Sequence, residues 1–177
     1  MSQTYFLGGN SCQGFTSLYA GFPPDKNAFL HIIKGGPGTG KSGFMRAIGA
    51  AAEERGLEVQ YVLCSGDPDS LDGVYIPALG LAWVDGTAPH VVEPRHFGAD
   101  SDYEDLGRFC RLPLSGKDKE RVRQLTADYR ALYAEAYEKL AAAKALHDEL
   151  EAIYKPYVDF AALTAYTEET VKNIFNA

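Results

Sequence analysis

A chain of 177 residues can bury a real core and reads most simply as one domain with an appendage. Its composition is globular, 46% hydrophobic and 23% charged, and its formal net charge of −7 argues against a general nucleic-acid or anionic-membrane surface, since both require a positive field. Cys12, Cys64 and Cys110 stand far apart with no C-x-x-C spacing, the pattern of reduced thiols in a cytoplasm and not of a disulfide framework or zinc site. The start of the chain lacks a basic, apolar leader and no run approaches about 18 apolar residues, so a cytoplasmic protein without a membrane segment is expected.

In chain order, residues 4–7 read as a short strand ended by Gly8, Gly9 and Asn10, and 14–19 (GFTSLY) as a turn or short helix. Residues 20–27 connect these to 28–33 (AFLHII), an apolar run of strand length. Then comes GGPGTGKS at 35–42, which fits the phosphate-binding pattern G-x-x-x-x-G-K-[ST] at every fixed position. Residues 42–55 follow as a helix ending at Gly56, so strand, loop and helix are all expected in sequence.

The chemistry of such a loop explains its residue types. Glycines let successive backbone N–H groups turn inward toward an anion that side chains would block. Gly36, Pro37, Gly38, Thr39, Gly40, Lys41, Ser42 and Gly43 form the candidate nucleotide-binding set. Lys41 would bring its charge to the β- and γ-phosphates, the Ser42 hydroxyl would join the coordination of Mg²⁺, and the helix would add its N-terminal dipole. The upstream aromatics Phe15, Tyr19 and Phe22 are read first as core residues and second as a cover for an adenine ring.

Residues 57–64 (LEVQYVLC) complete a strand, helix, strand unit, whose strands are expected to be parallel with a right-handed crossover. The segment 65–73 (SGDPDSLDG) leaves that strand at the edge where open parallel sheets bind ligands. Asp67, Asp69 and Asp72 there are either site carboxylates, Asp67 being a candidate catalytic group, or turn residues bonded to their own backbone. A calcium loop is excluded, because the acids are one residue out of step and no Glu stands at the twelfth position. In 79–87 (LGLAWVDGT) an apolar run ends in Asp85, the acid expected to share a Mg²⁺ with Ser42 and to act beside Lys41 in catalysis.

His90, Glu93 and His96 are read as loop residues and not as a metal site, because Pro94 makes their segment extended. Residues 101–104 (SDYE) match a capping box and are expected to open a short helix through Cys110. The basic residues of 117–123 alternate with acids, as at a solvated helix start. From about 117 to 154 a long helix is expected, with a seam through Val122, Leu125, Tyr129, Leu132, Ala136, Leu140, Ala143, His147, Leu150 and Tyr154 that contains a stutter. His147 is expected to be packed in that seam. Pro156 ends the helix, and residues 159–176 are expected to return along it as a second one.

With GGPGTGKS, 64–73 (CSGDPDSLDG) and 84–90 (VDGTAPH) in view, the chain resembles a bacterial family of tandem P-loop ATPases, and 6–15 (FLGGNSCQGF) is similar too. The resemblance covers about residues 4–100 and implies a P-loop fold that binds ATP. In that family two such halves usually stand in one chain, and this sequence corresponds to about one. It departs from better-known relatives at Gly86, where many ATPases carry a catalytic Glu, which leaves the base unassigned. The GTPase pattern D-x-x-G fails at Ala88 and no N-K-x-D occurs, so ATP is expected over GTP.

The expected fold is therefore α/β, a P-loop type parallel sheet flanked by helices over 1–114, with a long helical hairpin arm over 115–177. The expected function is Mg²⁺-dependent ATP hydrolysis, with Lys41 stabilising the transferring phosphoryl and Ser42 and Asp85 holding the metal. Two alternatives stand beside it: a small-molecule kinase whose Asp67, Asp69 or Asp72 orients an acceptor hydroxyl, and an ATP-dependent interaction module with slow turnover. A second copy or second half is also expected. Only helix-forming sequence is read beyond Asp85, so strands are short in number, and the arm's seam is left uncovered.

Overall fold

The apolar runs of the first hundred residues come together, in a computed structural model that describes residues 2–89 and 91–175, as a six-stranded sheet. Its members are β1 (Gln3–Phe6), β4 (Phe29–Lys34), β5 (Gln60–Leu63), β6 (Leu71–Ile76), β7 (Leu81–Asp85) and β8 (Ser101–Asp105). They lie in the order β1-β5-β6-β7-β4-β8. β4 runs parallel to both β7 and β8, β1 runs parallel to β5, and β6 is antiparallel to its two neighbours. Five strands thus share one direction and end on a common edge. A separate antiparallel hairpin of β2 (Gly8–Ser11) and β3 (Gly14–Ser17) continues from the end of β1.

The alternation of β4 explains how the core divides. Leu30 and Ile32 pack with Val62, Tyr75, Ala82 and Val84 on one face, closed by Tyr19 and Phe22. Ile33 points to the opposite face, where helix α1 (Lys41–Glu53) lays Met45 and Ala52 over Val59, Leu71, Val74 and Ile76. β6 is buried along its whole length, as a central strand requires. It also carries an irregularity: Leu63 pairs with Leu71 but Val62 pairs with Gly73, so Asp72 is an extra, bulged residue.

Two expectations about local structure fail. Residues 14–17 form β3 and not a helix, because Gly14 takes a left-handed φ of 92° that closes the hairpin; a short 3-10 turn, Tyr19–Gly21, comes only afterwards. The capping-box segment 101–105 is strand β8, paired with β4 from Leu30↔Ser101 to Lys34↔Asp105. Ser101 is fully buried and donates to Asp100, and the ladder to β4 offers these backbone groups more bonds than one helical turn would. Six strands are present, so the argument that the sheet needs completion by another half falls.

The arm begins where Ser115 caps the long helix α2 (Gly116–Tyr154), accepting from the Asp118 N–H at 3.2 Å. At 1.5 Å per residue this helix spans about 58 Å. A 3-10 turn, Lys155–Tyr157, leads into α3 (Phe160–Phe175); the expected terminal Asn176 lies outside the described residues. Among the described residues α3 does not bury a face along α2. A helix returning along α2 would bury one face, yet Phe160, Leu163, Tyr166 and Ile174 remain 49–68% exposed. The expected seam is likewise open: His147 is exposed and paired with Glu151 at 3.2 Å, not packed. What α2 turns to the rest of the protein is a row that shares only Tyr129 with that seam, Tyr129, Tyr133 and Tyr137, which lies over the β2–β3 hairpin. No described helix is long and apolar enough to cross a membrane.

Candidate functional site

The glycine-rich segment 35–42 joins the end of β4 to α1 on the edge where the parallel strands finish. Gly38 and Gly40 have φ of 75° and 88°, the left-handed region that a side chain disfavours, and Gly40 is the residue that caps α1. Thr39 Oγ1 donates to the Gly36 carbonyl at 2.9 Å and closes the loop on itself. Nothing lies within 4 Å of where a side chain would begin at Gly36, Gly38, Gly40 or Gly43, so the loop faces open space with the N-terminus of a 13-residue helix behind it.

Lys41 curls back over this loop. Its Nζ donates to the carbonyls of Gly35 at 2.9 Å and Gly36 at 3.0 Å, and stands 3.5 Å from Asp85 Oδ2. Only 11% of its side chain and 12% of that of Asp85 are exposed, so this is a largely buried ion pair. Asp85 Oδ1 accepts from the Thr87 N–H at 2.9 Å and from its hydroxyl at 2.5 Å. The neighbouring Ser42 Oγ accepts from the Leu71 N–H at 2.9 Å, which ties the start of α1 to the start of β6.

That tie brings in Asp72. Gly73 pairs with Val84, and one step beyond that pair on each strand lie Asp72 and Asp85. Both carboxylates are buried, at 4% and 8% exposure. The bulge swings Asp72 toward Tyr19, whose hydroxyl donates to Asp72 Oδ2 at 2.9 Å. Burial first, then the charges of Asp72 and Asp85, push the Tyr19 phenol far above its usual range, so it stays a proton donor to the carboxylate. Asp72 and Asp85 are both buried, and buried carboxylates persist where they are paired and hydrogen-bonded. Carboxylate and hydroxyl oxygens are the hard donors that Mg²⁺ selects, and Ser42, Asp85 and Asp72 fit such an ion on that ground.

Of the three acids in 65–73, only Asp72 belongs to this cluster. Asp67 is exposed; its Oδ1 accepts from the Asp69 N–H at 3.3 Å and its carbonyl from Ser70 at 2.8 Å, a turn bonded to itself. Asp69 is exposed too, and its carbonyl accepts from Arg46. Tyr19 and Phe22 are core residues at 3% and 4% exposure, leaving Phe15 as the one leader aromatic beside an open cavity. His90 lies outside the described residues. His96 bonds locally to Asp100, whose carboxyl is held down to about 2 by His96 and then Ser101.

Gly86 acquires a physical reason. A Cβ there would stand 2.4 Å from Ile32 Cγ2, in a fully buried and branched side chain, and 3.1 Å from Lys34 Nζ. Lys34 itself donates to the Gly86 and Val92 carbonyls and pairs with Glu93, fastening the loop after β7. No side chain can follow Asp85 without moving the sheet. Gly86→Ala is expected to destabilise the fold by about 1–3 kcal/mol, the usual range for overpacking, measured by urea unfolding. A variant as stable as the wild type would contradict this packing.

Comparison with known proteins brings no match to this chain, neither from family models nor from curated proteins nor from solved structures. The fold itself defines a mixed α/β protein, with a six-stranded, mostly parallel sheet and a long helix.

Proposed function

We propose that the chain binds ATP with Mg²⁺ at the 35–42 loop and hydrolyses it, as a P-loop ATPase would. One observation carries this reading: the Lys41 ammonium sits between the loop carbonyls and Asp85, with Ser42 beside it and a second buried carboxylate, Asp72, one strand away. The resemblance of GGPGTGKS and its flanks to the tandem ATPases supports the same reading.

Lys41 is the residue to exchange its carbonyl bonds for stronger charge-assisted ones to the β- and γ-phosphates. The backbone N–H groups at the start of α1 receive the anion, and Asp85 and Ser42 are the ligands for the metal, with Asp72 held by Tyr19 close by. When bound, Mg²⁺ neutralises phosphate charge and polarises the bond to be broken. Phosphate release from ATP, with Mg²⁺ and with EDTA, tests hydrolysis. Release that needs Mg²⁺ is expected, whereas tight Mg·ATP binding without release would favour the slow interaction module.

Self-association belongs to the same proposal but now rests on one ground. Leu125, Leu132, Leu150, Tyr157 and Phe175 are 47–86% exposed along α2, α3 and the turn between them, more apolar surface than a lone arm ordinarily leaves open. Sedimentation velocity is expected to show a concentration-dependent dimer, with hydrolysis rising faster than linearly with protein concentration. A monomer at every concentration with strictly proportional activity would refute it.

A further inference from the structure

One feature of the common sheet edge left unused by the nucleotide reading is a cavity of about 340 Å³. Its floor is the 64–66 turn after β5 together with Ala88 and Pro89 after β7, and the β2–β3 hairpin contributes Phe15 and Asn10. Its roof is α2. There Tyr129, Tyr133 and Tyr137 form a ladder with ring centroids 4.8 and 6.0 Å apart and tilted by 53° and 55°.

The walls are held apart by bonds of their own. The Tyr137 hydroxyl donates to Asn10 Oδ1 at 2.8 Å, and Asn10 Nδ2 donates to the Ser65 carbonyl at 3.3 Å, so helix, hairpin and turn are linked around the space. A Cβ at Gly66 would stand 2.8 Å from the Tyr133 hydroxyl, the close approach that seats the roof on the floor. The space is therefore built and does not close, while 56% of Tyr129 stays accessible. Such a volume suits a small molecule, and ligand sites of this size are typically apolar and aromatic with a few placed polar groups.

We propose that this cavity is a binding site for a flat, bicyclic aromatic molecule carrying an anionic substituent. The tyrosine ladder offers ring faces and edges for a planar π-system. Arg130, beside the ladder on the same helix, supplies a planar guanidinium suited to a carboxylate or similar anion. The site stands apart from the phosphate loop, since none of residues 35–42 lines it. It does not depend on the nucleotide reading.

The test is a fluorescence titration of the full chain with 2-naphthoate, the carboxylate probe, and with 2-naphthol as its uncharged counterpart. A single saturable site is expected for both. Ala134→Trp, at an exposed helix position that lines the cavity, should fill it and weaken both probes by about tenfold or more. Arg130→Gln should weaken 2-naphthoate by about fivefold and leave 2-naphthol unchanged. Lys41→Ala should change neither, and loss there with retention in Ala134→Trp would place the probe at the phosphate loop and overturn the proposal. Absence of saturable binding, equal binding by wild type and Ala134→Trp, or an Arg130→Gln effect that does not distinguish the probes would also overturn it.

Discussion

Lys41→Ala is expected to weaken Mg·ATP binding by about 2–5 kcal/mol, or roughly thirty- to several-thousand-fold, because it removes the ammonium poised over the loop. The nucleotide's phosphates would lose a charge-assisted contact, the stronger kind of hydrogen bond. The same change has a second effect that the sequence alone hides. Lys41 is largely buried against Asp85, so the variant leaves that carboxylate, among the described residues, with its two bonds from Thr87. A stability loss of about 1–3 kcal/mol is expected with it, and urea unfolding without nucleotide separates that loss from the binding defect. Calorimetric binding within a few-fold of wild type would remove Lys41 from the phosphate site.

Asp85→Asn should act on the metal more than on the nucleotide. Asn can still accept the Thr87 bonds through its carbonyl, so the loop after β7 is held, but the charge facing Lys41 and the proposed metal is gone. Loss of ligands in the outer shell of a metal site typically costs 10–100-fold, and a direct ligand should reach about the upper end of that range. ATP affinity in Mg²⁺ is thus expected to fall by about 100-fold, with a much smaller change in EDTA. Equal losses under the two conditions would show that Asp85 only supports the fold.

Much of this arrangement is legible in the amino-acid sequence. GGPGTGKS declares its own loop, since glycines and a lysine at that spacing have few other uses, and the apolar run into Asp85 places an acid on the same edge. Asp72 is hidden among three similar acids. What singles it out is a β-bulge, a feature of strand pairing that local sequence does not encode, together with a tyrosine 53 residues upstream. Strand β8 reads as a helix start because S-x-x-E serves a helix cap and an alternating strand equally well, and pairing with β4 decides between them. The arm fails in the opposite way: its helix is plain from composition, but a seam without a partner helix says nothing about which face the sheet will take. The tyrosine row at 129, 133 and 137 departs from that seam after Tyr129, and the Tyr137 hydroxyl can reach the hairpin where a leucine could not.

The central claim, that the 35–42 loop holds a magnesium nucleotide, is tested most directly by unfolding the wild-type chain in urea with and without Mg·ATP. Ligand at 100 times its dissociation constant should raise the unfolding free energy by about 2.7 kcal/mol, with a smaller rise when EDTA replaces Mg²⁺. An unfolding midpoint that does not move at any concentration of Mg·ATP would contradict the account.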